Sequence, residues 1–102
     1  MLEVHDQKAF DQALVENPLV LVDFYATWCG PCKKIAPKIE SLSEEHEDVK
    51  FLKVNVDEAD TLASRLNISS LPTFVLYKNK EEHGRVVGAH LDAVKGLVSN
   101  EK

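Results

Sequence analysis

The sequence predicts an α/β fold, with a mixed, mostly parallel central sheet flanked by helices in the order βαβαβαββα. Three observations predict it. Short apolar runs of strand length alternate with segments whose apolar residues recur at helical spacing. One run, Leu19 to Tyr25, is apolar on both faces, which is typical of a central strand covered by helices on each side. Near the end of the chain, two strand-like runs follow each other without an intervening helix, which indicates an antiparallel hairpin.

The size and composition of the chain set limits on its class. Its 102 residues suit one domain, and we expect residues 1–102 to form a single unit. The content of 44% hydrophobic residues is enough for a core, and no apolar run is long enough to span a membrane. The net charge of −5 does not favour nucleic acid or a membrane as a partner. The first residues do not resemble a signal or transit peptide, so a cytoplasmic location is expected.

The chain begins with a short strand and a capped helix. Leu2 to Val4 is predicted to be an edge strand. Asp6 is a candidate N-cap, because its carboxylate can accept hydrogen bonds from the free amides at the start of a helix that runs to about Glu16. The inner face of that helix contains Phe10, Ala13 and Leu14. Asn17-Pro18 ends the helix, because the residue before a proline disfavours the helical conformation.

The central strand, residues 19–25, leads through the cysteine motif into a longer helix. Between Lys33 and Glu47 the apolar residues recur at helical spacing, with Ile35, Ile39 and Leu42 facing inward. Pro37 lies too far inside this helix to be its first residue. We therefore expect a kink near residues 33–37, where Pro37 removes one backbone donor.

The second half of the chain supplies the rest of the sheet. Residues 51–56 form the second strand of the βαβ unit, and a third helix spans about residues 59–66, with Asn67 as a left-handed stop. Residues 73–77 form the next strand. The charged stretch 78–83, with Gly84, is interpreted as a hairpin connection into a strand at residues 85–87. A last helix, from about His90 to Ser99, packs through Val94, Leu97 and Val98.

The only two cysteines lie in Trp28-Cys29-Gly30-Pro31-Cys32, between the central strand and the long helix. A Cys-x-x-Cys pair at such a junction of a βαβ unit is typical of a redox pair. A bridge between them closes a very short loop and removes little unfolded-chain entropy, so chemistry explains the pair better than stability does. The pair lies beyond the carboxyl end of a central strand, where open α/β sheets place their sites. The sequence therefore predicts dithiol–disulfide exchange.

Two charged residues interrupt the predicted strands. Asp23 shares a strand face with Leu21 and Tyr25, where a carboxylate is costly to bury. Either the strand ends early and Asp23 reaches water, or the carboxylate is buried for a function close to the cysteines. Lys53 interrupts the next strand, and the pattern alone favours a side chain that extends its ammonium into water.

The segment from Val22 to Lys33 closely resembles the active-site segment of the thioredoxin family. The resemblance extends over essentially the whole chain. The positions where thioredoxins have their helix-kinking proline, paired lysine, cis-proline and groove glycine hold Pro37, Lys53, Leu71-Pro72-Thr73 and Gly88. Two positions depart from the pattern. Tyr25 stands where many relatives have tryptophan, and Lys80 stands where the hairpin usually has glycine, which leaves the type of that turn open.

The resemblance implies the thioredoxin fold and a role for each site residue. Cys29 would be the exposed nucleophile, with its thiolate favoured by the free amides at the helix start, and Cys32 would be the shielded resolving thiol that forms a disulfide with it. Asp23 would be the buried base that takes the Cys32 proton through a water, with Lys53 as its candidate partner. Gly30 and Pro31 complete the catalytic motif, and a proline rather than a histidine between the cysteines implies a reducing pair.

The resemblance also implies a flat, apolar docking surface made of Trp28, Gly30, Pro31, Leu71, Pro72, Gly88 and Ala89. A cis bond before Pro72 would turn the Leu71 backbone outward, where it could pair with an extended substrate segment. No bound cofactor or metal is implied. Reducing equivalents would come from NADPH through a separate thioredoxin reductase, the clients would be disulfide-containing proteins, and the chain would act as a monomer.

Three other functions stay open at this point. An oxidase or isomerase is the nearest alternative, and a binding module whose redox chemistry is incidental is the second. Structural zinc is the third and the weakest, because it needs four ligands and the sequence offers no second cysteine pair. The histidines fall in predicted loops or helix ends and are interpreted as surface residues: His5, His46, His83 and His90.

Overall fold

The computed structural model describes residues 1–101 and confirms the predicted element order. The strands are β1 (Leu2–Glu3), β2 (Leu19–Tyr25), β3 (Lys50–Asn55), β4 (Thr73–Lys78) and β5 (Glu81–Val87). The helices are α1 (Gln7–Glu16), α2 (Gly30–Glu45), α3 (Asp60–Arg65) and α4 (Leu91–Asn100). The fold class predicted from the sequence is therefore correct.

The strands form a mixed sheet in the order β1-β3-β2-β4-β5, so β2 is central. Strands β1, β3 and β2 are parallel, while β4 is antiparallel to both β2 and β5. Asp23 in β2 is opposite Lys53 in β3 on one side and Phe74 in β4 on the other. The carboxyl end of β2 leads directly into the cysteine motif, which places the cysteines beyond the carboxyl end of a central strand, as predicted.

Alternation along β2 divides the core into two layers. Val20, Val22 and Phe24 pack with residues of α1 and α3 on one face of the sheet. Leu21 packs with residues of α2 and α4, including Ile39 and Val98, on the other face. Both layers are closed to solvent, and this double burial explains why β2 is apolar on both faces. Packing of the core therefore does not explain why this strand contains the carboxylate of Asp23.

The helix ends agree with the predicted local chemistry. The Asp6 carboxylate accepts from the Ala9 amide at 2.9 Å, as expected of an N-cap. Asn67 has a φ of 58°, the left-handed conformation expected at the end of α3. Helix α2 begins at Gly30, three residues earlier than the periodic segment suggested, because Cys29 caps it. The helix continues through Pro37, and the kink there remains a prediction.

The predicted antiparallel hairpin is present, but the predicted length of its connection was wrong. Residues 78–83 were expected to form a connection, but β4 extends to Lys78 and β5 begins at Glu81. Only Asn79 and Lys80 form the turn, with φ values of 52° and 73°. Positive φ at both central residues is the type I′ pattern, whose twist matches that of the flanking strands. The charged residues after the turn fit a strand because β5 lies at the sheet edge, where charged side chains are common.

Candidate active site

Cys29 is the N-cap of α2. Its backbone is extended, with φ −85° and ψ 109°, and its sulfur accepts a hydrogen bond from the Cys32 amide at 3.2 Å. Pro31 lies in the first turn, where the missing amide hydrogen of a proline costs nothing. The sulfurs of Cys29 and Cys32 are joined in a disulfide, with the two Cα atoms 5.3 Å apart. Because unpaired amides at a helix start favour negative charge, this position suits a thiolate once the disulfide is reduced.

The two cysteines are equally buried but face different spaces. Cys29 is 5% exposed and Cys32 is 4% exposed. The expectation of an exposed Cys29 is therefore wrong for the disulfide form, in which both cysteines pack with Ala26. Cys29 lines a cavity of about 460 Å³, here called the outer cavity. Cys32 lines a different cavity of about 220 Å³, here called the inner cavity.

The outer cavity is apolar and opens beside Trp28. Its walls are Trp28, Cys29, Gly30, Pro31, Val56, Ile68, Ser69 and Leu71, and no side chain in this set other than the cysteine is ionisable. Trp28 is 69% exposed, as expected of a docking residue rather than a core residue. The walls supplied by Val56, Ile68 and Ser69 were missed from the sequence. They lie far from the cysteines along the chain, and only the fold brings them close.

Trp28 is held at the cavity entrance by a residue that the sequence did not identify. Its indole N–H donates to Asp57 Oδ2 at 2.8 Å. Asp57 follows the carboxyl end of β3, and its amide donates to Asn55 Oδ1 at 2.9 Å, which fixes that turn. The only sequence signal for Asp57 is its position after the strand next to β2, since the ends of parallel neighbours meet at one sheet edge.

The predicted docking surface is not flat. The Leu71–Pro72 peptide bond is cis, as expected, but Pro72 is itself buried. The Gly88 amide donates to the Pro72 carbonyl at 2.8 Å. Gly88 has a φ of 102°, a left-handed conformation that residues with a Cβ rarely adopt, so the backbone at this position favours glycine.

Gly30 and Pro31 form a ridge between two grooves. On one side is the outer cavity. On the other side is a second groove of about 520 Å³, which contains the predicted Ala89 together with residues that sequence reasoning missed. Its other walls are Lys34, Ile35, Lys38 and Leu91. The predicted docking residues therefore border two grooves of different character, one apolar and one with two ammonium groups at its rim.

The inner cavity connects Asp23 with Cys32. Both residues line it, together with Tyr25, Ala26, Thr27, Lys33, Ala36 and Lys53. Asp23 is 6% exposed, so the interpretation in which it reaches water is wrong. Its Oδ1 atom is buried and has no hydrogen-bond partner in the described part of the chain. A volume of about 220 Å³ can hold several water molecules at about 30 Å³ each, so a water path from Cys32 to this oxygen is sterically allowed.

Burial raises the pKa of Asp23 from 3.8 to about 7, because desolvation penalises the charged carboxylate. The Lys53 ammonium opposes this effect and lowers the pKa, whereas the Glu3 carboxylate raises it. The net result is a carboxyl group that exchanges a proton close to neutral pH. This property suits a base that must accept a thiol proton and release it again.

Lys53 lowers the pKa of Asp23, as expected of its candidate partner, although the two side chains form no direct ion pair. Its ammonium lies 3.8 Å from Glu3 Oε1, and its side chain is 42% exposed. It also lies 5.8 Å from the centre of the Tyr25 ring. The side chain thus reaches toward solvent, as the strand pattern indicated, and its influence on Asp23 is electrostatic rather than through a direct contact.

The histidines singled out by the sequence are not among the described residues that line the outer cavity, the inner cavity or the second groove. His5, His83 and His90 are exposed, and His5 and His83 face Glu58 and Glu101 at 3.5 and 3.4 Å. Within residues 1–101, no three or more His, Cys, Asp or Glu side chains are grouped closely enough to hold a metal ion. No helix in that range combines the length and apolar character needed to cross a membrane.

Comparisons with known proteins agree on one family. The sequence model of the thioredoxin family matches residues 1–100. Thioredoxin-1 of Saccharomyces cerevisiae is 48% identical over 90 residues, which cover 88% of this chain and 87% of that protein. The solved structure of Plasmodium falciparum thioredoxin has a TM-score of 0.96 at 41% identity, and that of Fasciola hepatica thioredoxin has a TM-score of 0.97 at 35% identity. Both structural matches cover all of each chain.

Proposed function

The chain belongs to the thioredoxin family and is a thiol–disulfide oxidoreductase, and we propose that it works as a general protein-disulfide reductase through Cys29 and Cys32. One observation carries the assignment of roles. Cys29 borders the apolar outer cavity, while Cys32 borders the inner cavity with Asp23. A partner can therefore approach one sulfur while a base serves the other.

Cys29 is the nucleophile in this proposal. With the pair reduced, the free amides at the start of α2 favour the Cys29 thiolate. The thiolate attacks one sulfur of the partner's disulfide, that disulfide breaks, and its other sulfur leaves as a thiolate that takes a proton from water. The product is a mixed disulfide between Cys29 and the partner. Trp28, Leu71 and the Gly30-Pro31 ridge border the site of attack and would contact the partner.

Cys32 resolves the mixed disulfide. Its thiol passes a proton through water in the inner cavity to Asp23, and the Cys32 sulfur then attacks Cys29. The bond between Cys29 and the partner breaks, the Cys29–Cys32 disulfide forms, and the partner's second sulfur leaves as a thiolate that takes a proton from water. Two electrons have passed from the dithiol to the partner's disulfide. Asp23 releases its proton to solvent before the next cycle, which a pKa of about 7 allows.

The direction of transfer follows from how weakly the Cys29 thiolate is stabilised. A pair becomes a strong oxidant when its surroundings stabilise the reduced form strongly, for example through a cation beside the thiolate. Pro31 supplies neither a charge nor an amide hydrogen, and the other described walls of the outer cavity are also uncharged. This leaves backbone amides as the main support for the thiolate and favours a reducing pair over an oxidase or isomerase.

The reductase needs a source of electrons after each cycle. We propose that they come from NADPH through a separate thioredoxin reductase, and that the clients are disulfide-containing proteins of the cytoplasm. A reducing compartment suits a dithiol that must be kept reduced. The reacting groups Cys29, Cys32 and Asp23 all belong to one chain, so a monomer suffices for the cycle.

Trapping tests the proposed roles. Cys29→Ser should abolish reduction of a disulfide protein, because no thiolate is left in the outer cavity. Cys32→Ser should accumulate a stable mixed disulfide, visible as a mass increase on a non-reducing gel. Full activity of Cys29→Ser would remove its assignment as nucleophile. Equilibration of the wild-type pair with glutathione tests the direction, since a pair that stays mostly reduced at a cytosolic ratio cannot act as an oxidant.

A further inference from the structure

Three charged side chains form a row across the parallel strands beneath the inner cavity. Glu3 in β1 is the register neighbour of Lys53 in β3, which is in turn the register neighbour of Asp23 in β2. Register neighbours in parallel strands lie on the same face of the sheet, about 4.8 Å apart. The row therefore connects a carboxylate at the sheet edge with the carboxyl group beside Cys32.

Glu3 contacts two residues that line the inner cavity. Its Oε1 atom accepts from the Tyr25 hydroxyl at 2.7 Å and lies 3.8 Å from the Lys53 ammonium. The Lys53 ammonium also lies against the Tyr25 ring, 5.8 Å from its centre. The other carboxylate oxygen of Glu3 is buried and has no hydrogen-bond partner in the described part of the chain. Glu3 thus contacts both Tyr25 and Lys53. It does not line the outer cavity, so the environment of Cys29 does not account for a carboxylate at this position.

We propose that Glu3 is a positioning residue for the resolution step. It controls how strongly the Lys53 ammonium stabilises the Asp23 carboxylate, and it fixes Tyr25 as a wall of the inner cavity. This inference rests on the proposed role of Asp23 as the base. Lys53 lies between two carboxylates in the row, and its 3.8 Å contact with Glu3 holds it toward the sheet edge. Without the charge of Glu3, the nearest remaining carboxylate in the row is that of Asp23.

The charges around Asp23 predict the sign of the effect. Burial raises its pKa, Lys53 lowers it, and Glu3 raises it. The other ionisable groups that line the same cavity are Tyr25 from β2 and, from α2, Lys33 and Cys32. Glu3→Gln retains an oxygen that accepts from the Tyr25 hydroxyl but removes the negative charge. The pKa of Asp23 should then fall, because one repelling carboxylate is lost and the Lys53 ammonium is free to approach.

Tyr25→Phe should shift the pKa of Asp23 in the opposite direction. It removes the hydroxyl that competes with Lys53 for Glu3 Oε1, so Glu3 should hold Lys53 more tightly. The Lys53 ammonium then stabilises the Asp23 carboxylate less, and the pKa of Asp23 should rise. A role that is only structural would not produce shifts of opposite sign in two variants on the same contact.

The test measures the Asp23 carboxyl and the resolution step separately. Carbon-13 NMR follows the titration of Asp23 in the disulfide form of each protein. Stopped-flow absorbance follows the reduced protein mixed with an aromatic disulfide that releases one coloured thiolate on attack and a second on resolution. The rate of the second phase should increase with pH as Asp23 loses its proton. The midpoint of that increase should fall by about 0.5 pH unit in Glu3→Gln, as expected for charges two strands apart. The NMR midpoint should move with it, and both should rise in Tyr25→Phe.

Glu44→Gln is the matched control. It removes the same charge from the exposed face of α2, outside the row. Neither midpoint should move in this variant. Equal shifts in Glu44→Gln and Glu3→Gln would overturn the proposal, because a general change in net charge would then explain both.

The outcomes separate this inference from the function on which it rests. If Asp23→Asn leaves the second phase unchanged, the role of Asp23 as base fails. If Asp23→Asn slows that phase but Glu3→Gln moves neither midpoint, only the role of Glu3 fails. Shifts of the same sign in Glu3→Gln and Tyr25→Phe would also overturn it. Thermal unfolding of each variant confirms that folded proteins are compared. If Glu3→Gln does not fold, the direction of the Asp23 pKa shift in Tyr25→Phe decides the test.

Discussion

The two sides of one disulfide differ in almost every physical respect. The outer cavity has about twice the volume of the inner one and is lined by uncharged side chains, with the exposed Trp28 at its entrance. The inner cavity is lined by Asp23, Lys53 and Lys33 among others, and a buried carboxyl oxygen there has no hydrogen-bond partner within residues 1–101. Cys29 and Cys32 are three residues apart and equally buried, so sequence distance and exposure do not distinguish them. Their neighbours from other strands and loops do.

The largest effect is expected when the Asp23 charge is removed and the free energy of unfolding is followed against pH. The folded carboxyl binds its proton more tightly than the unfolded one, with a pKa of about 7 against 3.8. Wild-type stability should therefore fall as pH rises from about 4 to about 7, by about 4 kcal/mol from this group. In Asp23→Asn this contribution is absent. The measurement is the free energy of unfolding in denaturant at several pH values for both proteins.

The difference between the two stability curves isolates Asp23, because all other titrating groups are common to both proteins. The stability of Asp23→Asn relative to wild type should increase up to about pH 7 and then level off. A difference that is constant across this range would mean that Asp23 is not buried in the way described. Glu44→Gln in the exposed face of α2 is a suitable control and should give a flat difference.

The next test separates the two steps of the reaction. Asp23→Asn should slow resolution of the mixed disulfide by about 100-fold, the usual size of a lost general base. The initial attack by Cys29 should change much less, because that sulfur lies on the outer side. Rapid mixing with a chromogenic disulfide gives both rates in one experiment. Equal slowing of both steps would contradict the division of labour between the two cavities.

Loss of apolar surface from the outer cavity should affect clients and spare small disulfides. Ile68→Ala removes part of one wall and should lower kcat/KM for a disulfide protein by about fivefold to tenfold. The rate with a small aromatic disulfide should stay within about twofold, since it does not need that wall. Val15→Ala is the matched control, because Val15 is an exposed aliphatic residue on α1, remote from the cysteines in sequence. If both substrates slow equally in Ile68→Ala, the wall is not a docking surface.

The smallest effect is expected at Asp57. Asp57→Ala removes the acceptor of the Trp28 indole N–H, an exposed hydrogen bond of modest value. Client turnover should fall by less than about threefold. Trp28 is the only tryptophan in the chain, so fluorescence anisotropy reports its mobility directly and should decrease in this variant. An unchanged anisotropy would show that Asp57 does not hold the ring in place.

Much of the fold could be predicted because local chemistry and periodicity agree along the chain. Asp6, Asn67 and the doubly apolar β2 each appear where the sequence suggested. The bounds of the connection in the final hairpin were wrong because a charged stretch is ambiguous between a connection and an edge strand. Only the pairing of β5 with β4 resolves it, and that pairing also produces the two-residue turn at Asn79 and Lys80.

The amino-acid sequence alone determined the reactive pair, the order of the elements and the oddity of a carboxyl group in a central strand. Those features depend on neighbours in the chain, on side-chain periodicity and on the chemistry of a Cys-x-x-Cys motif. The tertiary structure decided which sulfur borders the outer cavity, which borders the inner cavity with Asp23, and that Lys53 pairs with Glu3 rather than with Asp23. These relations join residues from separate strands and loops, so they exist only once the sheet sets their register and burial sets their charge.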